Sequence, residues 1–245
     1  MTGTTWLILG ASSAIARAFA LQAAQAGCDV LLAGRDQDDL GATAADVRVR
    51  TGRGAEAVPF DALDYAGHAA FAEDVAGRGG RLNVLLAFGT MTGQEEAERD
   101  FGAARAMIES NYLGAVSILS RLAPVLERQG AGRLVVIGSV AGDRGRASNH
   151  VYGSAKAGLH AFTSGLRARL FRSGVTVTLI KPGFVDTAMT WPLGLKRAAS
   201  PESVAAAVLK AADKGRAVAY VPFVWLGVMT IIRLIPNPIF KRLKI

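Results

Sequence analysis

Cysteine is nearly absent from this chain, which excludes two common ways of stabilising a fold. Cys28 is the single cysteine among 245 residues, so neither an internal disulfide nor a thiolate zinc cluster can form. The three histidines, His68, His150 and His160, show no metal-ligand spacing either. We therefore predict no metal site.

The chain also lacks a long uninterrupted apolar run. The uncharged stretch 217–232 is shorter than the roughly 20 apolar residues that a bilayer-crossing helix needs, and Pro222 interrupts it. Near the N-terminus, residues 6–9 are too few for the core of a secretory signal, and no cationic residue precedes Arg17. These absences favour a cytoplasmic protein.

Acidic residues are missing after Asp213, and the whole chain carries a formal net charge of +8. The same segment is the most apolar part of the chain and ends in "VPFVWLGVMTIIRLIPNPIFKRLKI". Proteins that bind nucleic acids usually spread Lys and Arg over a polar face with stacking aromatic residues, so we predict no nucleic-acid partner. An apolar and basic tail favours a subunit interface or contact with the inner face of the plasma membrane, and packing into the core is the third alternative.

Short apolar runs alternate along the chain with longer alanine-rich segments of helical composition. The runs are "TWLIL", "DVLLA", "AEAVPF", "NVLLAF", "RLVVIGS", "VTVTLIK" and "AVAYV". Such alternation is typical of βαβ units, in which helices cover both faces of a parallel sheet. We predict an α/β protein with one doubly wound, seven-stranded parallel sheet of the Rossmann type over residues 1–221. Residues 222–245 are predicted to form an apolar and basic C-terminal helical extension, with a second helix capped by Asn237 and starting at Pro238.

The first predicted strand leads into "LILGASSAIARAFA", a sequence typical of a phosphate-binding turn and the helix after it. In such a turn the backbone amides and the helix N-terminus face a pyrophosphate, and small residues allow its close approach. Gly10 is retained here, but Ala14 and Ala16 stand where glycines are usual. The pattern predicts a dinucleotide site, although a tight strand-to-helix turn without a ligand would have the same sequence.

The end of the second predicted strand carries a further cofactor signal. An acidic residue at this place binds the ribose 2′-hydroxyl of NAD, whereas a basic residue suits the 2′-phosphate of NADP. The chain reads "LLAGRD", with Gly34 at the usual position of the acid and Arg35 next to it. Arg35 favours NADPH, and Asp36 keeps NADH as the alternative. Without a ligand, Arg35 and Asp36 would be a solvated charge pair at the start of a helix.

The segment "VIGSVAGDRGRASNHVYGSAKAGLHAF" carries a candidate proton-transfer group. Tyr152 and Lys156 are four residues apart, so on a helix they project from one face. A free tyrosine has a pKa of about 10, and a cationic neighbour lowers it towards neutrality. Ser139 ends an apolar strand, at the carboxyl end of the sheet where such folds bind ligands. The three residues predict carbonyl reduction, with Tyr152 as proton donor and Ser139 holding the oxygen, although Tyr152 and Lys156 alone are also compatible with an ordinary surface pair.

Together these motifs resemble the short-chain dehydrogenase/reductase family over nearly the whole chain. The resemblance is carried by Gly10, Asp61 in "PFDALD", Asn111 in "ESNYLGAV", the set Ser139, Tyr152 and Lys156, and "IKPGFVDTAM". It implies a single-domain Rossmann fold that binds NAD(P)(H), an oxidoreductase acting on CH-OH groups, and a homodimer or homotetramer. It also implies that Asn111 completes the catalytic group and holds a water molecule that links Lys156 to solvent.

The family resemblance also implies a set of cofactor contacts, from the pyrophosphate turn through the adenine end to the nicotinamide end. They are Gly10, Ser12, Ser13, Ala14, Ile15, Arg35, Asp61, Ala62, Ala87, Phe88, Gly89, Tyr152, Lys156, Pro182, Gly183, Val185 and Thr187. The chain departs from the family at Ala87-Phe88-Gly89, where Asn-Ala-Gly is usual. We expect this departure to reshape cofactor contacts without affecting the proton-transfer residues.

A closer resemblance concerns the substrate. The sequences "FDALD", "AFG", "VYGSAKAGL" and "IPNPIFKRL" are similar to a branch of the family that reduces lipid-linked 2-keto pentoses on the way to cell-wall arabinan. It implies a hydrophobic or lipid-linked carbonyl substrate and an epimerase oxidase as partner. For Arg144 and Arg146, between Ser139 and Tyr152, we expect contacts with the substrate phosphate, and a solvated loop is the alternative. Two alternatives stay open: reduction of another hydrophobic ketone (steroid, acyl or xenobiotic), and a non-catalytic dinucleotide-binding or interaction protein.

Overall fold

The sheet contains seven parallel strands, as the alternation of apolar runs predicts. The computed structural model describes residues 3–194 and 197–243, and within them the strand order is β3-β2-β1-β4-β5-β6-β7. The strands are β1 (Thr4–Leu9), β2 (Asp29–Gly34), β3 (Ala55–Pro59), β4 (Arg81–Leu86), β5 (Gly132–Ile137), β6 (Val175–Pro182) and β7 (Val218–Val221). The strand order reverses between β1 and β4, so their carboxyl ends border the crevice in which such folds bind ligands. The predicted fold class is confirmed.

Helices cover both faces of this sheet. They are α1 (Ala14–Gln25), α2 (Gln37–Thr51), α3 (His68–Gly77), α4 (Gln94–Arg99), α5 (Phe101–Ile108), α6 (Gly114–Gln129), α7 (His150–Leu170), α8 (Pro201–Asp213), α9 (Val224–Leu234) and α10 (Asn237–Phe240). Trp6 and Ile8 of β1 belong to a core with Phe19 of α1, whereas Leu7 and Leu9 belong to a second core with residues of α6 and α7. Alternate side chains of one strand therefore fill two cores on opposite faces of the sheet.

Side-chain caps fix the starts of the two helices next to the predicted cofactor crevice. Ser13 Oγ accepts a hydrogen bond from Ala16 N at 3.2 Å at the start of α1. Asp36 Oδ1 accepts one from Asp39 N at 3.1 Å at the start of α2. Each cap pairs one of the backbone donors that the first turn of a helix leaves free, so both helices begin at defined residues.

The C-terminal segment is helical over much of its described length. α9 lies within the apolar stretch in which the sequence predicts a helix, and α10 follows after Pro236. The predicted cap at Asn237 is wrong by one residue, because the extended backbone of Pro236 occupies the cap position and no side chain caps the helix. Residues 244–245 of the predicted extension lie outside the described residues. Within residues 3–194 and 197–243, no helix is long and apolar enough to cross a membrane.

Candidate active site

The turn after β1 depends on Gly10. Its φ of +83° lies in the left-handed region that favours glycine, and a Cβ atom there would lie 2.6 Å from the Cβ atom of Phe88. The Gly10 N–H donates to the carbonyl oxygen of Ala33 in β2 at 2.9 Å. α1 then begins after its Ser13 cap and has no acidic residue in its first turn. Its N-terminal N–H groups are therefore suited to an anion such as a pyrophosphate.

Ala14 and Ala16 are compatible with this turn because neither position needs the backbone of a glycine. Among the described residues, positive φ angles occur only at glycines. The Ala16 methyl group is fully buried in the core with Phe19, whereas Ala14 is half-buried. Ser12 is exposed and Ile15 is half-buried at the same end of the helix. The Ala16 methyl group thus adds to the core and does not obstruct the ligand side of the turn.

Asp36 already has a hydrogen-bond partner within the protein, whereas Arg35 has none among the described residues. The Asp36 carboxylate caps α2, so one of its oxygens is occupied. Arg35 is exposed and makes no hydrogen bond or ion pair with the residues that the structure describes. Gly34, the last residue of β2, leaves space for Leu40, whose Cδ1 would lie 2.9 Å from a Cβ atom at that position. The guanidinium group is therefore available to a ligand at the end of β2.

Asp61 and Ala62 lie in a turn that two neighbouring elements hold in place. The imidazole of His68 lies 3.0 Å from Asp61 O through Nε2 and 2.8 Å from Ser117 Oγ through Nδ1. A Cβ atom at Gly114 would lie 2.5 Å from Ala62 O, so glycine allows α6 to approach this turn closely. His68, buried and without a role in the sequence-based site, therefore supports the predicted adenine end.

The departure from the family sequence at Ala87-Phe88 is accommodated by the core. Ala87 N donates to Leu9 O at 2.9 Å, which extends the contact of β4 with β1 by one residue. The ring of Phe88 packs against the core that includes α6, with its centroid 5.8 Å from the ring centroid of Phe60. The larger Phe88 side chain therefore packs beneath the site, and Ala87, where asparagine is usual in the family, offers no side-chain amide to the crevice.

Asn111 and Lys156 converge on Gly89. A one-turn π-helix, Glu109–Leu113, joins α5 to α6 and carries Asn111, whose Nδ2 donates to two backbone carbonyls at 2.6 and 2.9 Å. Asn111 Oδ1 is buried and has no hydrogen-bond partner among the described residues. A Cβ atom at Gly89 would lie 2.4 Å from this oxygen and 3.3 Å from Lys156 Nζ. An unpaired oxygen at that point fits a bound water, since buried polar atoms normally have a partner.

Ser139, Tyr152 and Lys156 meet at the carboxyl end of β5. Tyr152 lies in the first turn of α7 and shares a hydrogen bond with the side chain of Ser139. Lys156, one turn further along α7, places Nζ 5.7 Å from the centroid of the Tyr152 ring and donates to Ile137 O at 3.4 Å. Both side chains are buried, so the pair does not lie on the helix surface. The structure thus brings together the four residues in which the sequence predicts catalysis.

Burial is the largest influence on the pKa values of Tyr152 and Lys156. It raises the pKa of Tyr152 to about 12, and the hydrogen bond with Ser139 acts in the opposite direction. Burial also lowers the pKa of Lys156 to about 8. At pH 7 the phenol is therefore protonated and the amine is cationic, which is the combination that a proton donor and its electrostatic support require.

The segment after β6 carries the predicted contacts at the nicotinamide end. Pro182 and Val185 are buried, and Thr187 is half-buried. Gly183 lies directly under α9, because a Cβ atom at this glycine would be 1.8 Å from Trp225 Nε1. Trp225 therefore forms part of the wall at this end of the site. No local sequence pattern indicates the contact, since it joins residues far apart in the chain.

Arg144 binds the C-terminal helices in this structure. Its guanidinium group donates to Ile232 O at 2.5 Å, to Ile235 O at 2.6 Å and to Asn237 Oδ1 at 2.9 Å, and it lies 3.6 Å from the centroid of the Phe240 ring. Arginine here pairs the free carbonyl groups at the end of α9 and connects α9 to α10. These contacts engage Nη1 and one Nη2 hydrogen of Arg144, so they hold the guanidinium group against the C-terminal helices; the expected contact of Arg144 with a substrate phosphate stays a prediction.

Arg146, unlike Arg144, has a buried side-chain donor without a partner among the described residues. Its Nε atom is buried and, like Oδ1 of the nearby Asn149, has no hydrogen-bond partner among the described residues. Burial lowers the pKa of Arg146, and the charge of Asp143 opposes that effect. A buried donor without a partner, on the loop between Ser139 and Tyr152, is suited to an oxygen of a ligand.

Asp143 and His160, which the sequence-based site did not include, also lie beside Ser139. The Ser139 N–H donates to His160 Nε2 at 3.4 Å, and His160 Nδ1 lies 3.6 Å from the Asp143 carboxylate. One signal in the sequence predicts part of this contact, since His160 follows Lys156 by four residues and so lies on the same face of α7. Asp143 carries no such signal.

Comparison with known proteins assigns this site to a family. A model described as short chain dehydrogenase matches residues 4–198. An uncharacterized oxidoreductase of Mycobacterium tuberculosis, Rv2073c, is 37% identical over 243 residues, covering 97% of this chain and 96% of the relative. Ketoacyl reductase HetN of Nostoc is 32% identical over 219 residues, covering 86% of this chain and 76% of the relative.

Comparison with solved structures supports the same family. A short-chain dehydrogenase from Sphingobium yanoikuyae in complex with NADPH has 26% identity and a TM-score of 0.81, over 96% of this chain and 97% of that one. The fold and site are thus those of a Rossmann-type oxidoreductase. The chain belongs to the short-chain dehydrogenase/reductase family.

Proposed function

We propose that this protein is an NADPH-dependent carbonyl reductase in which Tyr152 donates the proton. The observation that carries the proposal is the position of buried Tyr152 at the carboxyl end of β5, where it shares a hydrogen bond with Ser139 and has Lys156 Nζ 5.7 Å from its ring centroid. Ser139 holds the substrate oxygen, and the Lys156 charge stabilises the phenolate that Tyr152 becomes on giving its proton. Asn111 holds a water next to Lys156 through its unpaired Oδ1, which connects the lysine to solvent.

The cofactor assignment rests on the crevice at the carboxyl ends of β1, β2 and β4. The Gly10 turn and the N-terminus of α1 fit a pyrophosphate, and exposed Arg35 fits a 2′-phosphate. The NADPH complex of the Sphingobium relative supports the same assignment. When bound, the dinucleotide supplies the hydride, while the chain provides the proton and the binding of the carbonyl oxygen. NADH is the alternative cofactor.

Titration and turnover test this proposal together. We expect NADPH to quench tryptophan fluorescence with higher affinity than NADH, and a hydrophobic ketone to be reduced with oxidation of NADPH. Tyr152→Phe removes the proton donor but keeps the ring, so turnover should fall at least about a thousandfold while NADPH affinity is retained. An active Tyr152→Phe variant would contradict the role of Tyr152. Failure to bind either cofactor would favour a non-catalytic interaction protein.

For the substrate, we propose a lipid-linked 2-keto pentose, as in decaprenylphosphoryl-2-keto-pentose reductase, the partner of the decaprenylphosphoryl-ribose 2′-epimerase oxidase. The similarity of "FDALD", "AFG", "VYGSAKAGL" and "IPNPIFKRL" to that enzyme supports the proposal. So does the unpaired Nε atom of Arg146, which is suited to a phosphate oxygen. Exposed apolar side chains at Phe184, Met189 and Trp191, next to the predicted nicotinamide contacts, fit a lipid chain.

A second candidate substrate is an acyl ketone, because ketoacyl reductase HetN is a relative over most of the chain. Parallel assays with a polyprenyl-phosphoryl ketopentose and a β-ketoacyl thioester distinguish the two. Reduction of the sugar lipid alone, with loss of its affinity in Arg146→Gln, is the expected result. Rapid reduction of the acyl ketone and none of the sugar lipid would contradict the lipid-pentose assignment.

The tail surface, which we define as Phe223, Ile231, Leu234 and Ile239 with the basic residues Arg233, Lys241 and Arg242, is proposed to contact an anionic membrane. Phe223, Ile231 and Leu234 are 71%, 67% and 76% exposed, and the basic residues are exposed beside them. Exposed apolar side chains among cations favour the surface of an anionic bilayer. Such a contact would bring the site to a lipid-linked substrate at the inner face of the plasma membrane.

Charge substitutions test the tail surface better than truncation, because Trp225 and the α9 partners of Arg144 are part of the site wall and its support. Ile231→Glu with Leu234→Glu should abolish salt-sensitive binding to anionic vesicles, whereas Phe171→Glu, at an exposed apolar residue elsewhere, should not. Vesicle binding that survives the double substitution would contradict the proposal. A dimer or tetramer that this substitution dissociates would assign the surface to subunit contact.

A further inference from the structure

His160 lies in a slot lined by two glycines on either side of Ser139 in the chain. A Cβ atom at Gly138 would lie 2.6 Å from His160 Nε2, and one at Gly142 would lie 2.6 Å from His160 Cε1. The Ser139 N–H donates to Nε2 at 3.4 Å. Any larger residue at either glycine would displace the imidazole, so the ring and the loop that carries Ser139 fit each other closely.

The other ring nitrogen faces a buried carboxylate. Asp143 has 2% of its side chain exposed, and its Oδ1 lies 3.6 Å from His160 Nδ1 and 2.5 Å from Lys181 Nζ. Its Oδ2 accepts a hydrogen bond from the Tyr220 hydroxyl at 2.6 Å. Asp143 ends the short 3₁₀ turn that begins after Ser139. The carboxylate is therefore fixed by β6 and β7 as well as by its own loop.

We infer that His160 is a positioning residue for Ser139: it is held in the Nδ1–H tautomer by Asp143, and its free Nε2 accepts the Ser139 N–H. The inference rests on the proposed function for the role of Ser139 in reduction. A histidine nitrogen can accept this hydrogen bond only while it carries no proton, and the proton on Nδ1 is stabilised by the carboxylate that it faces. His160 thus directs the backbone of Ser139 so that its hydroxyl group meets Tyr152.

The charges around His160 keep the ring neutral. Asp143 in the 3₁₀ turn, Lys181 in β6 and Lys156 on its own helix are the charged groups that act on it. Lys181 already balances the Asp143 carboxylate, so a second cation at His160 would be unpaired in a buried place. Burial and the two lysines lower the pKa of His160 to about 4, against the opposing effect of Asp143. The accepting form is therefore present at neutral pH.

Two substitutions of His160 by residues of similar size test whether its role is to accept a hydrogen bond or only to fill the slot. Glutamine at 160 can place an oxygen near the position of Nε2, whereas methionine fills the slot without a comparable acceptor. We expect His160→Met to lower kcat by about 10-fold to 100-fold, with KM for the ketone and the Kd for NADPH changed less than about threefold, because a small misplacement of a catalytic group has that effect. His160→Gln should restore kcat to within about threefold of the wild type. Equal kcat values in both variants would overturn the inference.

The tautomer of the wild-type protein gives an independent test that needs no variant to fold. Long-range proton–nitrogen correlation spectra of the histidine rings should show a protonated Nδ1 and a bare Nε2 at His160, with or without NADPH. A proton on Nε2 would overturn the inference even if the enzyme is fully active. If the wild type reduces no ketone, the proposed function fails, and the tautomer still decides whether His160 accepts the Ser139 N–H.

Discussion

Trp225 of α9 occupies the space that any side chain at Gly183 would need. Its Nε1 lies 1.8 Å, and its Cε2 2.0 Å, from the place of a Cβ atom at that glycine. The indole also contacts Phe184, with ring centroids 5.5 Å apart in an edge-on arrangement. The nicotinamide end of the site and the C-terminal helix are therefore one packed unit, and changes in α9 reach the site through this contact.

This contact predicts the effect of Gly183→Ala. The added methyl group collides with the indole and must displace α9, so we expect unfolding to become easier by about 1–3 kcal/mol, as for other overpacked positions. The destabilisation by Gly183→Ala should be smaller when the indole of Trp225 is removed. In Trp225→Ala the same Gly183→Ala change should cost less than about 1 kcal/mol, since the colliding group is absent.

Urea unfolding of the four proteins in this double-mutant cycle measures the coupling between the two residues. Gly165→Ala is the matched control and should not be destabilising, because at this helical glycine no described atom beyond the adjacent residues and the local helix backbone lies within 4 Å of the Cβ position. Additive effects of Gly183→Ala and Trp225→Ala would contradict the packing relationship.

Arg35 predicts cofactor preference. Arg35→Gln removes the cation at the end of β2 but keeps a polar side chain, so NADPH affinity should fall by about 10-fold to 100-fold with little change for NADH, in keeping with loss of a charge-assisted contact to phosphate. Fluorescence titration with each cofactor measures the ratio. Arg121→Gln, at an exposed arginine on α6, controls for the change in net charge. Unchanged NADPH preference in Arg35→Gln would show that another residue binds the 2′-phosphate.

Elements whose signal is local could be predicted from the sequence, and contacts between distant segments could not. The strand that precedes Ser139 is indicated by a continuous apolar run, and the shared helix face of Tyr152 and Lys156 is indicated by their four-residue spacing. Both signals lie within short segments, so the sequence predicts both features. The partner of Gly183 comes from beyond β7, and no local pattern contains it. The same holds for Arg144: its place between Ser139 and Tyr152 in the sequence suggested a substrate contact, whereas two of its partners in the structure lie 88 and 91 residues further along the chain.

Lys156 predicts the alkaline limit of ketone reduction. Burial lowers its pKa to about 8, whereas the pKa of Tyr152 is raised to about 12, so the lysine loses its charge first as the pH rises. We expect kcat/KM for reduction to be constant below pH 8 and to fall about tenfold for each further pH unit, because the neutral amine no longer stabilises the phenolate. A ketone without ionisable groups, assayed from pH 6 to 10, gives the profile. A profile that stays level up to pH 10 would contradict the role of the Lys156 charge.

His160 predicts a loss of stability in mild acid. Its pKa is lowered from 6.5 to about 4 in the folded protein, so between these values the unfolded chain binds a proton that the folded chain does not. Stability rises with pH wherever the unfolded state binds more protons; the contribution is therefore complete above pH 6.5 and is lost as the pH falls to 4. The difference corresponds to about 3 kcal/mol at most.

Urea unfolding at pH 7, 5.5 and 4.5 measures this contribution as the difference between the wild type and His160→Gln. The other acidic and basic groups are common to both proteins, so the wild type should lose more stability than the variant on acidification. His150→Gln is the matched control, because His150 is exposed. Parallel losses in the wild type and in His160→Gln would mean that His160 accepts a proton in the folded state as readily as in the unfolded chain. In that case its imidazole would not be held neutral by Lys181 and by burial beneath Ser139.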